Sequence, residues 1–170
     1  YKRQVLVYLP FEDQASVTQL LQQLPQQRFI QYASGLQAGV HNNVELKPSA
    51  VASFKRDLAS SNGVICNTGF ELISECLHWG KPILSRPLAG QMEQLSNALA
   101  LEQLNYAHIV HDLSAAAIDC WLQTAGDLPT LQFPDVAAVL AQWLVEGCRT
   151  RPQELASALW REQGAQTDYS

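Results

Sequence analysis

The sequence predicts an α/β fold, an open parallel sheet of about six strands with helices on both faces. Short apolar runs rich in β-branched and aromatic residues recur along the chain, and helical patterns lie between most of them. Strands that alternate with helices in this way pair in parallel through right-handed crossovers. The 170 residues, 47% of them hydrophobic, are enough for one domain with a stable core.

The predicted strands are the apolar runs at residues 5–9, 29–32, 44–46, 64–66, 83–84 and 108–110. The predicted helices are identified by apolar residues that recur with the spacing of a one-sided helix. Ser49 is the predicted N-cap of the second helix. After residue 110 the pattern is helical only. The apolar stripes, in chain order, are Val17/Leu20/Leu21/Leu24, Val51/Phe54/Leu58, Phe70/Ile73/Cys76/Leu77, Met92/Leu95/Leu99, Ala117/Ile118/Trp121/Leu122 and Val136/Val139/Leu140/Trp143/Leu144.

The domain organisation is predicted as a main domain over residues 1–150, a terminal helix over 151–163 and a flexible tail over 164–170. Pro152 suits the first turn of that helix, and Leu155, Leu159 and Trp160 lie on one side of it. The helix either caps the sheet or reaches a second domain outside this chain. Because Tyr1 is not a methionine and a strand follows almost at once, we expect a piece of a longer protein.

The composition excludes several classes of protein. A formal net charge of -5 makes DNA or RNA a poor partner. No apolar run approaches the roughly 20 residues of a membrane span, and no signal peptide is visible. None of the four cysteines forms a CxxC pair, so we expect reduced core thiols in a cytoplasmic protein. They are Cys66, Cys76, Cys120 and Cys148.

The residues that could bind a ligand are concentrated at 67–98. Asn67, Thr68 and Gly69 follow the strand at 64–66, at the position where open α/β sheets bind their ligands. Thr68 to Glu71 reads as a capping box, and Gly69 lets the backbone approach a phosphate at the start of a helix. The alternative is that the box only begins a helix and that the acidic residues of that helix are ordinary surface charges.

A second polar cluster follows the next strand. Gly80-Lys81-Pro82 ends the preceding helix and begins the strand. Arg86 in the loop beyond either offsets the charge of a diphosphate or simply lies at the surface. Amides and carboxylates at the start of the next helix suit a neutral polyol, because they donate and accept hydrogen bonds to several hydroxyls. They are Gln91, Glu93, Gln94 and Asn97.

Together these pieces resemble the donor-binding half of a GT-B glycosyltransferase, whose sheet is Rossmann-like. The resemblance is to the transferases that add N-acetylglucosamine to peptidoglycan precursors and to related uncharacterised bacterial and archaeal enzymes. Their pattern is a small-residue turn, "SE" on a helix, G-x-P, and a Q/E-Q-x-x-N-A signature. The matching pieces are Asn67-Thr68-Gly69, Ser74-Glu75, Gly80-Lys81-Pro82 and Glu93-Gln94-Leu95-Ser96-Asn97-Ala98.

The resemblance implies a role for each matching residue. Glu75 would bind the ribose hydroxyls, and the backbone of Gly69, Phe70 and Glu71 would hold the diphosphate. Glu93 and Gln94 would contact the donor sugar, with Asn97 supporting that loop. By position alone, Lys47, Pro48 and Ser49 would hold the base. The full expected donor-binding set is Asn67, Thr68, Gly69, Phe70, Glu71, Glu75, Gln91, Glu93, Gln94 and Asn97.

The resemblance also implies what this chain lacks. The catalytic base would come from an N-terminal domain outside it, so we expect no catalytic residue here and an inactive fragment. No metal or other cofactor is expected: His41 reads as a solvated loop residue, and His108 and His111 have no third ligand nearby in sequence. The loop at residues 10–13 after the first strand has no glycine and carries two acids, so we expect no phosphate contact there.

The implied function is transfer of a hexosyl group from a nucleotide-sugar, with UDP favoured, to an acceptor held by the missing domain. Any peripheral association with a membrane would also occur through that domain. Two alternatives stay open, a UDP-sugar 2-epimerase of the same fold and a non-catalytic donor-binding subunit of a split glycosyltransferase. A plain dinucleotide-binding domain is disfavoured because no GxGxxG follows the first strand.

Overall fold

The computed structural model describes residues 4–126, 128, 130–131 and 133–162. The predicted tail over 164–170 lies outside the described residues. The strands are β1 Gln4–Tyr8, β2 Arg28–Ala33, β3 Gly39–His41, β4 Val44–Pro48, β5 Val64–Cys66, β6 Ile83–Ser85 and β7 His108–Ile109. The helices are α1 Gln14–Gln22, α2 Val51–Ser60, α3 Phe70–His78, α4 Met92–Gln103, α5 Ala115–Thr124, α6 Val136–Val145 and α7 Pro152–Glu162.

The strands form one sheet in the order β3-β4-β2-β1-β5-β6-β7. All neighbouring pairs are parallel except β3 with β4, so the predicted fold class is confirmed. The antiparallel β3 is missing from the sequence prediction. It is joined to β4 by a two-residue turn, and Asn42 has a φ of 56°, a conformation that asparagine tolerates better than most residues.

Helices cover both faces of the sheet. On one face, Val7 and Leu9 at the carboxyl end of β1 belong to a buried cluster with Leu21 of α1 and Trp121 of α5. On the other face, Phe54 of α2 packs edge-on against the rings of Tyr8 and Tyr32, at centroid distances of 5.4 and 5.1 Å. Because the alternate side chains of each strand are buried on opposite faces, the central strands are almost continuously apolar.

The apolar stripes of α2, α3 and α4 are only partly buried, and no residue of the α6 stripe is buried. In α2, α3 and α4 the first apolar residue of the predicted stripe lies in the solvent, namely Val51 at 75% exposure, Phe70 at 70% and Met92 at 77%. In α4 the buried residues are Gln94, Ala98 and Leu101 instead of the predicted stripe. The stripe prediction is therefore wrong at these positions.

The chain divides into two compact units, residues 1–130 and 131–170. The seven strands and α1 to α5 lie in the first unit, and α6 and α7 lie in the second. The predicted domain boundary at residue 150 stays a prediction. None of the helices in the described ranges combines the length and apolar character that crossing a membrane requires.

The cysteines are all reduced, but only two of them are core residues. Cys66 and Cys76 are buried, and burial raises the pKa of the Cys66 thiol to about 12. Burial also raises the pKa of Cys76. Cys120 and Cys148 are exposed, so the prediction that all four are core thiols is wrong.

Candidate functional site

The candidate site lies at the carboxyl ends of the parallel strands, beside the point where the chain changes direction across the sheet. From β1 the chain passes to β2 and β4 on one side, and then through α2 to β5 on the other. At such a switch point the adjacent loops separate and leave a crevice. The loops after β1 and β5 therefore form the centre of the site.

Two adjacent clefts open at this edge, and Tyr8, Glu71 and Leu72 line both of them. The first, which we call the α3 cleft, has a volume of about 480 Å³ and is also lined by Pro10, Phe11, Asn67, Gly69, Phe70, Glu93 and Gln94. The second, the α2 cleft, has a volume of about 320 Å³ and is also lined by Ser49, Ala50, Val51, Phe54, Lys55 and Glu75. Both volumes suit a small-molecule ligand.

Helix α3 begins at the α3 cleft with free backbone donors. Its N-cap is Gly69, which has no side chain to cap the helix. Within the described ranges, the N–H groups of Phe70, Glu71 and Leu72 have no hydrogen-bond acceptor. The first N–H groups of a helix carry partial positive charge and bind anions well. This end of α3 can therefore hold a phosphate or carboxylate group.

The predicted capping box is wrong, because Thr68 is turned away from the helix that follows it. Its hydroxyl is fully buried and donates to the carbonyl oxygen of Gln94 at 2.9 Å. Thr68 therefore connects the β5–α3 turn to α4. Its side chain faces the protein interior and leaves the first turn of α3 uncapped.

Gly69 leaves open space beside the first turn of α3. Its φ is -69°, which any residue can adopt. A Cβ atom built on Gly69 would meet no heavy atom within 4 Å. Neither the backbone conformation nor the packing of the protein requires glycine here. The absence of a side chain therefore serves the cleft, where it lets a ligand approach the backbone closely.

A hydrogen-bond network holds α4 against this turn. The Gln94 side chain is buried; its Oε1 accepts from the Leu88 N–H at 3.0 Å and its Nε2 donates to Gln91 Oε1 at 3.0 Å. Asn97 Nδ2 donates to the carbonyl oxygen of Thr68 at 3.0 Å. The structure thus brings Thr68, Gln91, Gln94 and Asn97 together, as one supporting network behind the cleft.

Asn67 lies at the floor of the α3 cleft and is only partly satisfied. It is 7% exposed, and its Nδ2 donates to the carbonyl oxygen of Arg86 at 3.0 Å. Its Oδ1 is buried and has no partner among the described residues. A buried acceptor without a donor costs about 1–3 kcal/mol.

Three carboxylates line the clefts without ion-pair partners. Glu71 and Glu93 are exposed beside the α3 cleft, and Glu75 is half-buried beside the α2 cleft. Their side chains form no salt bridge or hydrogen bond within the described part of the chain. Carboxylates in this state can accept hydrogen bonds from hydroxyl groups. Lys55 is the one basic residue among those that line the two clefts.

Of the three residues expected near the base, Ser49 lines the α2 cleft and Pro48 ends β4. Lys47 instead points its ammonium to Asp57, at 2.6 Å, and to Glu45, at 3.2 Å. Burial opposes the charge of Lys47, but the hydrogen bonds from its ammonium to these carboxylates outweigh burial and raise its pKa.

The predicted N-cap role of Ser49 is wrong, because the N-cap of α2 is Ala50, without a side-chain bond.

The loop after β1 is fixed by its two acids. Glu12 pairs with Arg86 at 2.9 Å and so connects this loop to the one after β6. Asp13 accepts from the Ser16 N–H at 2.8 Å and caps α1. Arg86 is therefore bonded to a protein carboxylate and also donates from Nε to the carbonyl oxygen of His111, at 3.3 Å. Pro10 and Phe11 between these anchors form one wall of the α3 cleft.

Some lining residues escaped the sequence analysis. Tyr8, Phe11, Phe54 and Lys55 line the clefts although no motif marks them. The position of Phe11 after the first strand could have indicated it. Among the described residues, no group of three His, Cys, Asp or Glu side chains is placed to hold a metal ion.

Three solved structures, all glycosyltransferases, share this fold. The glycotransferase of kitacinnamycin is 19% identical, with a TM-score of 0.57 over 70% of this chain and 33% of that one. SnogD from Streptomyces nogalater is 18% identical, with a TM-score of 0.53 over 68% and 32%. MurG from Acinetobacter baumannii is 14% identical, with a TM-score of 0.52 over 73% and 43%. The fold is thus that of GT-B glycosyltransferases.

The sequence itself identifies the family. The family model for glycosyl transferase family 1 matches residues 1–125. The chain belongs to glycosyl transferase family 1, and the predicted family is confirmed. A comparison with curated proteins gives no match. The chain spans about a third of the length of two of these glycosyltransferases and less than half of the third.

Proposed function

We propose that this chain is the donor-binding domain of a glycosyltransferase and that its ligand is a nucleotide-sugar, with UDP as the nucleotide. The acceptor would be held by a domain outside this chain. The transferred group would be a hexosyl group. The observation that carries the proposal is the open first turn of α3, which presents Gly69 and three unpaired N–H groups to the α3 cleft.

The two adjacent clefts suit the two ends of such a ligand. The diphosphate would lie against the N–H groups of Phe70 and Glu71, where the partial positive charge of the helix end favours an anion. The nucleoside would extend into the α2 cleft, where the half-buried Glu75 can accept hydrogen bonds from the two ribose hydroxyls. The sugar would lie towards Glu93 and the Gln94 network.

In the proposed reaction, an acceptor hydroxyl oxygen forms a bond to the anomeric carbon of the sugar. The bond from that carbon to the diphosphate oxygen breaks, and the nucleoside diphosphate leaves with the electron pair. A base on the domain outside this chain takes the hydroxyl proton. The amides of α3 would stabilise the charge that develops on the leaving diphosphate, which needs no bound metal in this proposal.

The proposal is tested by calorimetric titration of this chain with UDP, GDP, NAD and UDP-N-acetylglucosamine. We expect saturable binding of UDP and of the UDP-sugar. Glu75→Ala should weaken UDP binding at least tenfold, because a hydrogen bond to a charged group contributes about 1.5–3 kcal/mol and 1.4 kcal/mol corresponds to tenfold in affinity. The isolated chain should transfer no sugar.

The matched control is Glu102→Ala, which removes an exposed carboxylate on α4 that lines neither cleft. Its affinity for UDP should equal that of the unmodified chain. Binding of NAD in preference to UDP, or equal losses in the two variants, would contradict the proposal. A sugar converted to its epimer without an acceptor, seen by NMR, would point to the epimerase alternative.

A further inference from the structure

The ring of Tyr8 is held in place where the two clefts meet. Tyr8 ends β1, and its ring packs edge-on against Phe54 of α2, at a centroid distance of 5.4 Å. Phe54 packs in the same way against Tyr32, at 5.1 Å, and the Tyr32 hydroxyl donates to Asp57 at 2.7 Å. Because these contacts hold the ring of Tyr8, its hydroxyl is in position before a ligand arrives, and little conformational entropy is lost on binding.

The protein itself makes no use of the Tyr8 hydroxyl. Tyr8 and Tyr32 are paired residues on β1 and β2, and both rings contact Phe54. The Tyr32 hydroxyl is bonded to Asp57, whereas the Tyr8 hydroxyl has no hydrogen-bond partner among the described residues. Packing against Phe54 needs only the ring, which phenylalanine would supply equally well. The hydroxyl is therefore available to a ligand, to which it can donate.

The junction between the clefts is formed by Tyr8, Glu71 and Leu72, the three residues that line both of them. Glu71 and Leu72 belong to the first turn of α3, which offers its backbone N–H groups. Tyr8 is the one of the three whose side chain carries a hydrogen-bond donor. A ligand that occupies both clefts must pass beside these residues, so the group at its middle meets the α3 amides and the Tyr8 hydroxyl.

The charges around the clefts favour an uncharged donor at this junction. Glu71, Glu75 and Glu93 carry negative charge, and Lys55 is the one basic residue that lines either cleft. A lysine or arginine in place of Tyr8 would be drawn into an ion pair with these carboxylates. A phenol hydroxyl is attracted to them less strongly, and its bond to an anion is still charge-assisted.

We propose that the Tyr8 hydroxyl donates a hydrogen bond to the diphosphate of the nucleotide-sugar. This inference rests on the proposed function, in which the diphosphate joins the nucleoside in the α2 cleft to the sugar in the α3 cleft. Tyr8 and the N–H groups of α3 then hold the diphosphate together. The bond from Tyr8 strengthens as negative charge develops on the leaving nucleoside diphosphate, so it also stabilises the transition state.

The test is a titration of the unmodified chain and of Tyr8→Phe with UDP, uridine and pyrophosphate, followed by NMR. Tyr8→Phe keeps the ring and its contact with Phe54 and removes only the hydroxyl. We expect it to lower the affinities for UDP and for pyrophosphate at least about tenfold, which corresponds to the loss of one hydrogen bond to a charged group. The affinity for uridine, which has no phosphate, and the thermal unfolding midpoint should stay unchanged.

Tyr106→Phe is the matched control. Tyr106 is half-buried, as Tyr8 is, and its hydroxyl also has no partner among the described residues, but it lines neither of the two clefts. This variant should bind all three ligands as the unmodified chain does. Equal affinities of the Tyr8 and Tyr106 variants for UDP would overturn the inference. So would equal losses of UDP and uridine affinity in Tyr8→Phe, because the hydroxyl would then contact the nucleoside.

Pyrophosphate separates this inference from the proposed function. If the unmodified chain binds UDP and Tyr8→Phe binds it equally well, the nucleotide site stands and the role of Tyr8 fails. If pyrophosphate binds in a way that depends on Tyr8 but UDP binds no more tightly than pyrophosphate, the nucleotide proposal fails and the contact between Tyr8 and the anion stands. If neither ligand binds, both proposals fail.

Discussion

Gly69 is the residue whose chemistry most directly connects the sequence to an anion site. Glycine is often retained because a positive φ or a crowded contact demands it. Here the φ is -69° and a Cβ atom would meet nothing within 4 Å. Gly80 in the same unit is different, with a φ of +62° and the Leu128 carbonyl oxygen at 2.6 Å from a Cβ. The role of Gly80 is structural, and the role of Gly69 lies in the cleft.

Replacement of Gly69 by alanine should therefore affect binding more than stability. We expect Gly69→Ala to lower the free energy of unfolding by at most about 1 kcal/mol, because its one structural cost is that alanine is a poorer N-cap than glycine. Its affinity for UDP should fall at least tenfold, because the new methyl group occupies the space over the first turn of α3. Calorimetry and thermal unfolding measure the two effects.

Gly126→Ala is the control for Gly69→Ala. Gly126 also has open space around its Cβ position and lines neither of the two clefts. Its affinity for UDP should not change. A Gly69→Ala variant that binds UDP normally would contradict the proposed placement of the diphosphate.

Single residues also show where sequence patterns stop being informative. Phe70 follows the apolar spacing of α3, and Met92 that of α4, yet both are exposed. Gln94 is polar but buried, because its side-chain Oε1 and Nε2 bond to Leu88 and Gln91. Hydrophobic periodicity assigns residues to a face by apolarity alone. It cannot identify an apolar residue left at a cleft or a buried amide whose hydrogen-bond partners lie in the preceding loop.

At the scale of elements, α2 is held by an ion pair to a largely buried carboxylate. Asp57 on α2 accepts from Tyr32 Oη on β2 at 2.7 Å and from Lys47 Nζ on β4 at 2.6 Å. Burial opposes the charge of Asp57, but the hydrogen bonds from Lys47 and Tyr32 outweigh it and lower its pKa. These bonds hold α2 against β2 and β4, and the first turn of the same helix lines the α2 cleft.

Lys47→Met should lower the free energy of unfolding by about 2 kcal/mol at pH 7, because it leaves a largely buried carboxylate without its cation. The lowered pKa of Asp57 contributes stability above its unfolded value of about 3.9, and that stability is lost as the pH falls through the folded pKa. The difference between variant and unmodified chain should therefore be constant well above a pH of about 3.9 and shrink progressively as the pH falls below that value. Denaturant unfolding at several pH values measures it.

Arg56→Ala is the control for the same carboxylate. Arg56 lies 3.7 Å from Asp57, but its side chain is 73% exposed. An exposed pair of this kind contributes little, so the free energy of unfolding should change by less than about 0.5 kcal/mol. If Lys47→Met lowers the free energy of unfolding no more than Arg56→Ala does, the ion pair does not hold α2. The same conclusion follows if the effect of Lys47→Met is as large at pH 3 as at pH 7.

Helix ends were the elements least accessible to sequence reasoning. Ser49 and Thr68 are good capping residues by type, but the N-caps of α2 and α3 are Ala50 and Gly69. The Thr68 hydroxyl binds the carbonyl of Gln94, which is 26 residues away. Local spacing predicts local bonds, and this long-range bond depends on how α4 packs in the completed fold. The short β3 is absent from the prediction because Gly39-Val40-His41 contains one apolar side chain, whereas the equally short β5 and β6 coincide with apolar runs.

At the scale of the whole molecule, the alternation of strands and helices was enough to predict the sheet. Parallel pairing and right-handed crossovers leave few ways to connect such a chain, and the strands fall where the apolar runs are. The switch point beside β1 then follows from the strand order. The same reasoning placed Asn67 to Glu75 and Glu93 to Asn97 at one edge. It supplied only Ser49 of the opposite walls, which come from residues 8–11 and 49–55.

A competing cleft exists at the other end of the strands. It has a volume of about 510 Å³ and is lined by the α1–β2 loop and the β3–β4 turn, including Arg28, Asn43 and Glu45. Arg28 pairs with Glu45 at 2.9 Å, and Asn43 Nδ2 donates to the carbonyls at the end of α1 and in the following loop. The Oδ1 atom of Asn43 is buried without a partner among the described residues, as that of Asn67 is in the α3 cleft. Size alone would favour this cleft, whereas the free N–H groups of α3 favour the switch point.

The measurement that tests the central claim most directly is a titration of the isotope-labelled chain with UDP, followed through the backbone amide signals by NMR. We expect saturable shifts concentrated at residues 69–72 and at the α2 cleft, residues 49–55 and 75, with the signals of residues 25–28 and 42–45 unchanged. Saturable shifts confined to residues 25–28 and 42–45, or no shifts at UDP concentrations of several millimolar, would contradict a nucleotide site at the start of α3.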